Sequence, residues 1–84
     1  MTTHDLKTWP EFFDAIERGE KTFELRKDDR GYRVGDFLRL KEYLPKDERY
    51  TGRERVVQVM YLVAGPVFGL RAGYACMAIA KTHF

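Results

Sequence analysis

Lys21, Glu24 and Arg26 are the residues of this 84-residue chain whose types and spacing best suit chemistry. They lie in Gly19-Glu20-Lys21-Thr22-Phe23-Glu24-Leu25-Arg26, where a short amphipathic helix is expected to end and a charged strand to begin. Alternate residues of a strand share a face and rise about 3.3 Å each, which sets Glu24 and Arg26 side by side, roughly 6 to 7 Å apart at Cα. Thr22 lies on that face too. Phe23 and Leu25 point the other way, giving an apolar face for a core and a polar face for a ligand or for solvent. On an open surface the three charges form an ordinary ion-pair network of little energetic consequence. In a groove, the flanking cations favour the charged form of Glu24 while burial opposes it. A carboxylate held charged at neutral pH accepts hydrogen bonds better than it abstracts protons. It suits the exocyclic amino group of a base, and Lys21 and Arg26 suit phosphate or carbonyl oxygens.

The elements that must position these residues are read from caps and periodicity. Thr8 to Gly19 carries Pro10 at a first helical position, Glu11 and Asp14 near the positive end of the helix dipole, Arg18 near its negative end and Gly19 at the left-handed C′ position. Phe12, Ala15 and Ile16, with Phe13 beside them, form its expected buried stripe. His4 to Lys7 reads as a short edge strand. Lys27 to Asp36 is a loop with two glycine-marked turns, Gly31 and Gly35. Phe37 to Tyr43 alternates as a half-buried strand and ends at the turn Leu44-Pro45-Lys46-Asp47. Tyr50-Thr51-Gly52-Arg53-Glu54 reads as a turn before the β-branched strand Arg55 to Val63, which Gly65-Pro66 breaks. Phe68 to Gly73 is a loop, and Tyr74 to Ala80 a last strand with Met77 and Ile79 alternating against Cys76 and Ala78. One helix and about five closely spaced strands predict an α+β fold, a small, mostly antiparallel barrel whose closure removes unpaired edges.

A chain of this length allows one domain, residues 1–84, with a modest core. Hydrophobic residues make up 44% and charged residues 33%, so it should fold, with a heavily charged exterior. The formal net charge of +2 does not announce a nucleic-acid binder, but nine of the fifteen cations are arginines, which suit planar anionic groups. Cys76 is the sole cysteine, so no internal disulfide is available, and a cytoplasmic location is expected. The longest uninterrupted apolar run, Val59 to Ala64, is too short to span a bilayer. No membrane partner is expected, and no cofactor.

Outside the opening stretch the candidates are fewer. Tyr50, Thr51 and Arg53 read either as a turn that Gly52 allows to bend or as a binding cluster in which Tyr50 stacks on a base and Arg53 contacts phosphate. Trp9 reads as packing at the start of the helix in preference to a stacking platform, and Tyr74 as core or barrel rim. His4, Cys76 and His83 lack metal-ligand spacing, so no metal is expected. No glycine-rich loop follows a strand and opens a helix, which excludes nucleotide binding of the P-loop kind.

Gly19-Glu20-Lys21-Thr22-Phe23-Glu24-Leu25-Arg26 resembles the G-x-K-x-x-E-x-R signature of the ASCH family, relatives of the PUA RNA-binding domain, at all four fixed positions. His4 to Lys7, Lys27 to Arg30, Val34-Gly35-Asp36, Tyr50 to Arg53 and Phe68-Gly69-Leu70 resemble the bacterial and phage proteins of unknown function, DUF3850, grouped with ASCH. The resemblance covers nearly the whole chain. It implies a PUA-like barrel with a groove beside the signature strand and an RNA or modified-nucleoside ligand. Some small ASCH relatives are amidohydrolases that deacetylate N4-acetylcytidine with a lysine and a threonine of this signature and a more distant glutamate. Lys21 matches the lysine, but Glu24 stands at the threonine's position, and Thr22 comes two positions earlier. Other relatives are linked to RNA cleavage, for which Lys7, Lys21 and Glu24 would supply cations and a carboxylate, with His4 and His83 far apart in the chain.

The resulting expectation is RNA or modified-nucleoside binding through Lys21, Glu24 and Arg26, with Lys7, Tyr50 and Arg53 assisting. The alternatives are a small amidohydrolase acting on an N4-acylated cytidine-type nucleoside, using Lys21, Glu24 and Thr22, and a protein-interaction module. Oligomeric state is not legible from the sequence.

Overall fold

The helix forms where its caps demand. In a computed structural model, which describes residues 1–82, α1 spans Pro10–Glu17, with Pro10 at its first turn and Trp9 held extended before it. Gly19 takes φ +78°. Its N–H donates to the Ile16 carbonyl at 3.0 Å and the Glu20 N–H donates to the Ala15 carbonyl at 2.9 Å, the paired bonds of a Schellman cap. Phe13 and Ile16 are buried, but Phe12 is not: adjacent helical residues lie about 100° apart, so the side that buries Phe13 and Ile16 leaves Phe12 at its edge.

The strands are β1 (Thr3–Thr8), β2 (Phe23–Lys27), β3 (Phe37–Leu44), β4 (Arg49–Ala64) and β5 (Tyr74–Lys81). They form one sheet in the order β1-β3-β4-β5-β2, with β1 parallel to β3 and the other three pairings antiparallel. The inner faces of four of these strands bury Leu6, Leu38, Leu40, Val57, Val59, Met77 and Ile79, and Ile16 of the helix and Tyr32 complete the core. Alternation places every one of these strand residues inward.

Two expectations are corrected. The sheet curls into a half-barrel but does not close, because no ladder joins the edge strands β1 and β2. Arginines span the seam instead: Arg26 Nη2 donates to the Lys7 carbonyl at 2.8 Å and Arg30 Nη1 to the Asp5 carbonyl at 2.6 Å. A guanidinium cannot fit between strands at the ladder spacing of about 4.8 Å, so these side chains hold the edges apart while satisfying β1 backbone groups. Secondly, the predicted turn at residues 50–54 belongs to β4. The register shifts between Lys41, opposite Glu54, and Tyr43, opposite Tyr50, and Gly52 at φ +98° absorbs the irregularity within the strand.

Asp36 pins the start of β1 to the turn before β3. Its buried carboxylate lies 2.9 Å from His4 Nε2 and accepts the N–H groups of Thr2 at 3.2 Å and Arg33 at 3.1 Å. Burial pushes the Asp36 carboxyl upward, but the His4 hydrogen bond and the two backbone donors outweigh it and hold the group below its usual range. A lowered folded-state pKa gives stability that is complete above the unfolded value, near pH 4, and is lost as pH falls through the folded value. Asp36→Asn is expected to cost about 1.5 to 3 kcal/mol at pH 7 and to flatten the decline of melting temperature below pH 4. Thermal melts of both proteins from pH 7 to pH 2 measure this; parallel acid limbs would refute the assignment.

Candidate ligand-binding cavity

The open seam leaves a cavity of about 600 Å³ between the end of β1, the helix and β2. Its size falls within the range of small-molecule sites. Trp9 and Phe12 contribute aromatic wall, their rings stacked with centroids 6.3 Å apart and 19° between planes. Glu24, only 3% exposed, supplies the acidic group. Lys21 Nζ donates to Glu24 Oε1 at 2.6 Å and to the Phe23 carbonyl at 2.7 Å, while Arg26 Nε donates to Glu24 Oε2 at 2.5 Å. Both cations also line the cavity, as does Lys7. The predicted cluster is therefore assembled, and its acid is enclosed.

The orientation of β2 is the reverse of the one expected. Phe23 and Leu25, assigned to the core by the sequence, are 47% and 55% exposed, and the polar face points inward. Position explains the inversion. β2 is an edge strand that pairs, among the described residues, with β5 alone, and opposite Glu24 and Arg26 stand Met77 and Ala75, the last apolar residues of the inner face on that side. Beyond them lies the cavity, not packed core. On the other face, Phe23 and Leu25, which also border the cavity, pair with Ala78 and Cys76, and these in turn face Tyr61 and Val63 of β4.

Thr8, Trp9 and Phe12 are cavity residues that sequence reasoning missed. Thr8 is 3% exposed, and its hydroxyl has no hydrogen-bond partner among the described residues. A buried hydroxyl left unpaired costs roughly 1 to 3 kcal/mol, so its retention at a cavity wall is informative. The available signal was an excess of large apolar residues around the helix: Trp9, Phe12, Phe13 and Ile16 cover more than one stripe.

The remaining candidates lie elsewhere. Arg53 pairs with Asp14 at 2.9 Å and Glu42 at 3.6 Å and sits over the Phe13 ring at 4.6 Å, tying β4 to the helix. Thr51 donates to buried Glu42 at 2.7 Å. Tyr50 lies against Tyr43 and does not line the cavity. Thr22 precedes β2, is exposed and does not line the cavity; its carbonyl accepts from Ile79 N–H at 3.0 Å. His4 is committed to Asp36, and His83 lies outside the described residues. Tyr74 is half-buried, with Arg71 over its ring at 5.9 Å. No helix among the described residues is long and apolar enough to cross a membrane.

A curled five-stranded sheet whose unclosed seam holds a cation-flanked glutamate beneath an aromatic wall defines a class of small cavity-bearing half-barrels. The chain belongs to the family described as "Domain of unknown function (DUF3850)", which matches residues 3–79. A curated relative is the "Uncharacterized 12.9 kDa protein in GpA 3'region" of Escherichia phage P2, 39% identical over 51 residues. That match covers 61% of this chain and 45% of the phage protein, so the chain corresponds to less than half of its relative's length.

Proposed function

We propose that this protein binds RNA or a modified nucleoside, taking a base into the cavity at the seam. The observation that carries the reading is Glu24, enclosed at an aromatic-walled cavity between Lys21 and Arg26. Burying a carboxylate between two partly exposed cations is a poor way to stabilise a fold, since desolvation offsets much of the attraction. It is an effective way to preorganise an acceptor. Each carboxylate oxygen uses one lone pair on a cation and keeps capacity for a donor such as an exocyclic amine. The stacked Trp9 and Phe12 rings suit a planar base. The resemblance of residues 19–26 to the ASCH signature, with its PUA-like barrel, agrees with this reading. Fluorescence anisotropy with labelled rA8, rC8 and rU8 tests it. Binding should weaken with rising salt and fall when Lys21 and Arg26 are changed to Ala; absent or salt-independent binding would count against it.

Amidohydrolysis is the lesser reading. A threonine nucleophile needs a base within hydrogen-bond reach. Thr22 lies off the cavity, and the Thr8 hydroxyl has no hydrogen-bond partner among the described residues. Incubation with N4-acetylcytidine, followed by chromatography for cytidine and acetate, decides between the two.

Thr8→Val supplies a further check. The substitution removes an unsatisfied hydroxyl at constant shape and should stabilise the free protein by about 1 kcal/mol, raising the melting temperature by roughly 4 to 8 °C. Ligand affinity should fall in the same variant. Such opposed effects identify a hydroxyl kept for a ligand; a variant that is less stable would mean Thr8 serves the fold.

A further inference from the structure

The convex face of β1, β3 and the start of β4 carries a second cluster next to the cavity. Tyr43 and Tyr50 meet edge to face, with ring centroids 5.1 Å apart and planes at 66°. Lys7 Nζ stands 4.4 Å from the Tyr43 centroid and Lys41 Nζ 4.8 Å from that of Tyr50. Neither lysine has a carboxylate within ion-pair distance among the described residues, whereas Arg39 beside them pairs with Asp5 at 2.9 Å and Glu54 at 3.9 Å. Tyr50 is half exposed. An isolated Lys–Tyr contact is ordinary surface packing. Two such contacts on one tyrosine pair, with no carboxylate paired to either ammonium group among the described residues, make a cationic aromatic platform that reaches solvent at Tyr50. The register irregularity between Lys41 and Tyr43 helps set this geometry, because it brings Tyr50 opposite Tyr43.

Lys7 joins the platform to the cavity. Its carbonyl accepts from Arg26, which holds Glu24, and the residue lines the cavity, while its ammonium group leaves over Tyr43. We infer that the Tyr43–Tyr50 platform is a second subsite, which stacks a nucleotide adjoining the one held in the cavity, with Lys7 and Lys41 contacting the intervening phosphates. The ligand class is then single-stranded RNA, not a free nucleoside. Aromatic stacking combined with phosphate neutralisation is the general mode of single-strand recognition. This inference rests on the cavity reading above and extends it.

The test compares octamers rA8, rC8 and rU8 with the corresponding 5′-mononucleotides, each measured by calorimetry against the intact chain. Tyr50→Ala should weaken octamer binding about 5- to 100-fold and leave mononucleotide binding unchanged. Tyr50→Phe keeps the ring and should restore octamer affinity, and Lys41→Gln should reduce the salt slope by about 0.7. Tyr50 lies away from the core, and an unchanged melting temperature confirms that these variants fold. Wild-type octamer affinity in Tyr50→Ala, or octamers that bind no tighter than mononucleotides, would overturn the second subsite and leave the cavity reading standing. If neither octamers nor mononucleotides bind, both fail together.

Discussion

Glu24→Gln should abolish most base recognition while steepening the salt dependence of whatever RNA binding remains. The amide keeps the shape of the side chain but loses the charge that Lys21 and Arg26 face. A hydrogen bond to a charged group contributes about 1.5 to 3 kcal/mol, so mononucleotide affinity should fall about 10- to 150-fold. The two released cations become available to phosphate, and each additional phosphate contact steepens the salt slope by about 0.7 on a single strand. Stability should fall as well, by about 2 kcal/mol. Breaking a fully buried pair costs more, about 3 to 5 kcal/mol, but here the side chains of Lys21 and Arg26 are 15% and 26% exposed and can rehydrate. Calorimetry with mononucleotides and a salt series with rC8 read the two effects separately. A variant that keeps mononucleotide affinity would remove Glu24 from the site.

Leu40→Ala should cost about 3 to 4 kcal/mol, whereas Leu25→Ala should cost less than about 1 kcal/mol. Leu40 is fully buried at the centre of β3, and Leu25 is more than half exposed on β2. For a chain of this size the total stability is on the order of 4 to 12 kcal/mol, so the Leu40 variant forfeits a large share of it. Its melting temperature should drop by roughly 12 to 30 °C. Urea or thermal unfolding of both variants provides the comparison. Equal losses would mean that Leu25 packs inside after all, and with it would go the inward placement of Glu24.

That contrast marks the boundary of what local pattern carries. The helix between Pro10 and Gly19 was legible because caps are local chemistry: a ring that fixes φ at one end and a glycine that tolerates φ +78° at the other. The inner faces of β3 and β5 were legible because central strands alternate against a core on one side. The length of β4 was not, since Gly52 reads as a turn residue until its partner on β3 shows an irregular strand continuing through it. Trp9 read as packing at the helix start and Phe12 as part of the buried stripe, because apolar type does not distinguish a packed wall from a cavity wall.

The sequence by itself determined that residues 19–26 would place a carboxylate between two cations directly after a helix. Period-two geometry puts Glu24 and Arg26 on one face, and the Gly19 cap leaves Lys21 just before the strand. Only the tertiary structure decided which face is buried. Alternation defines two faces without ranking them, and hydrophobicity ranks them correctly only where a core waits on one side. At β2 it does not: the sheet ends there, the arginine-bridged seam stays open, and the enclosed space is lined by Glu24, Lys21, Arg26 and the unpaired hydroxyl of Thr8.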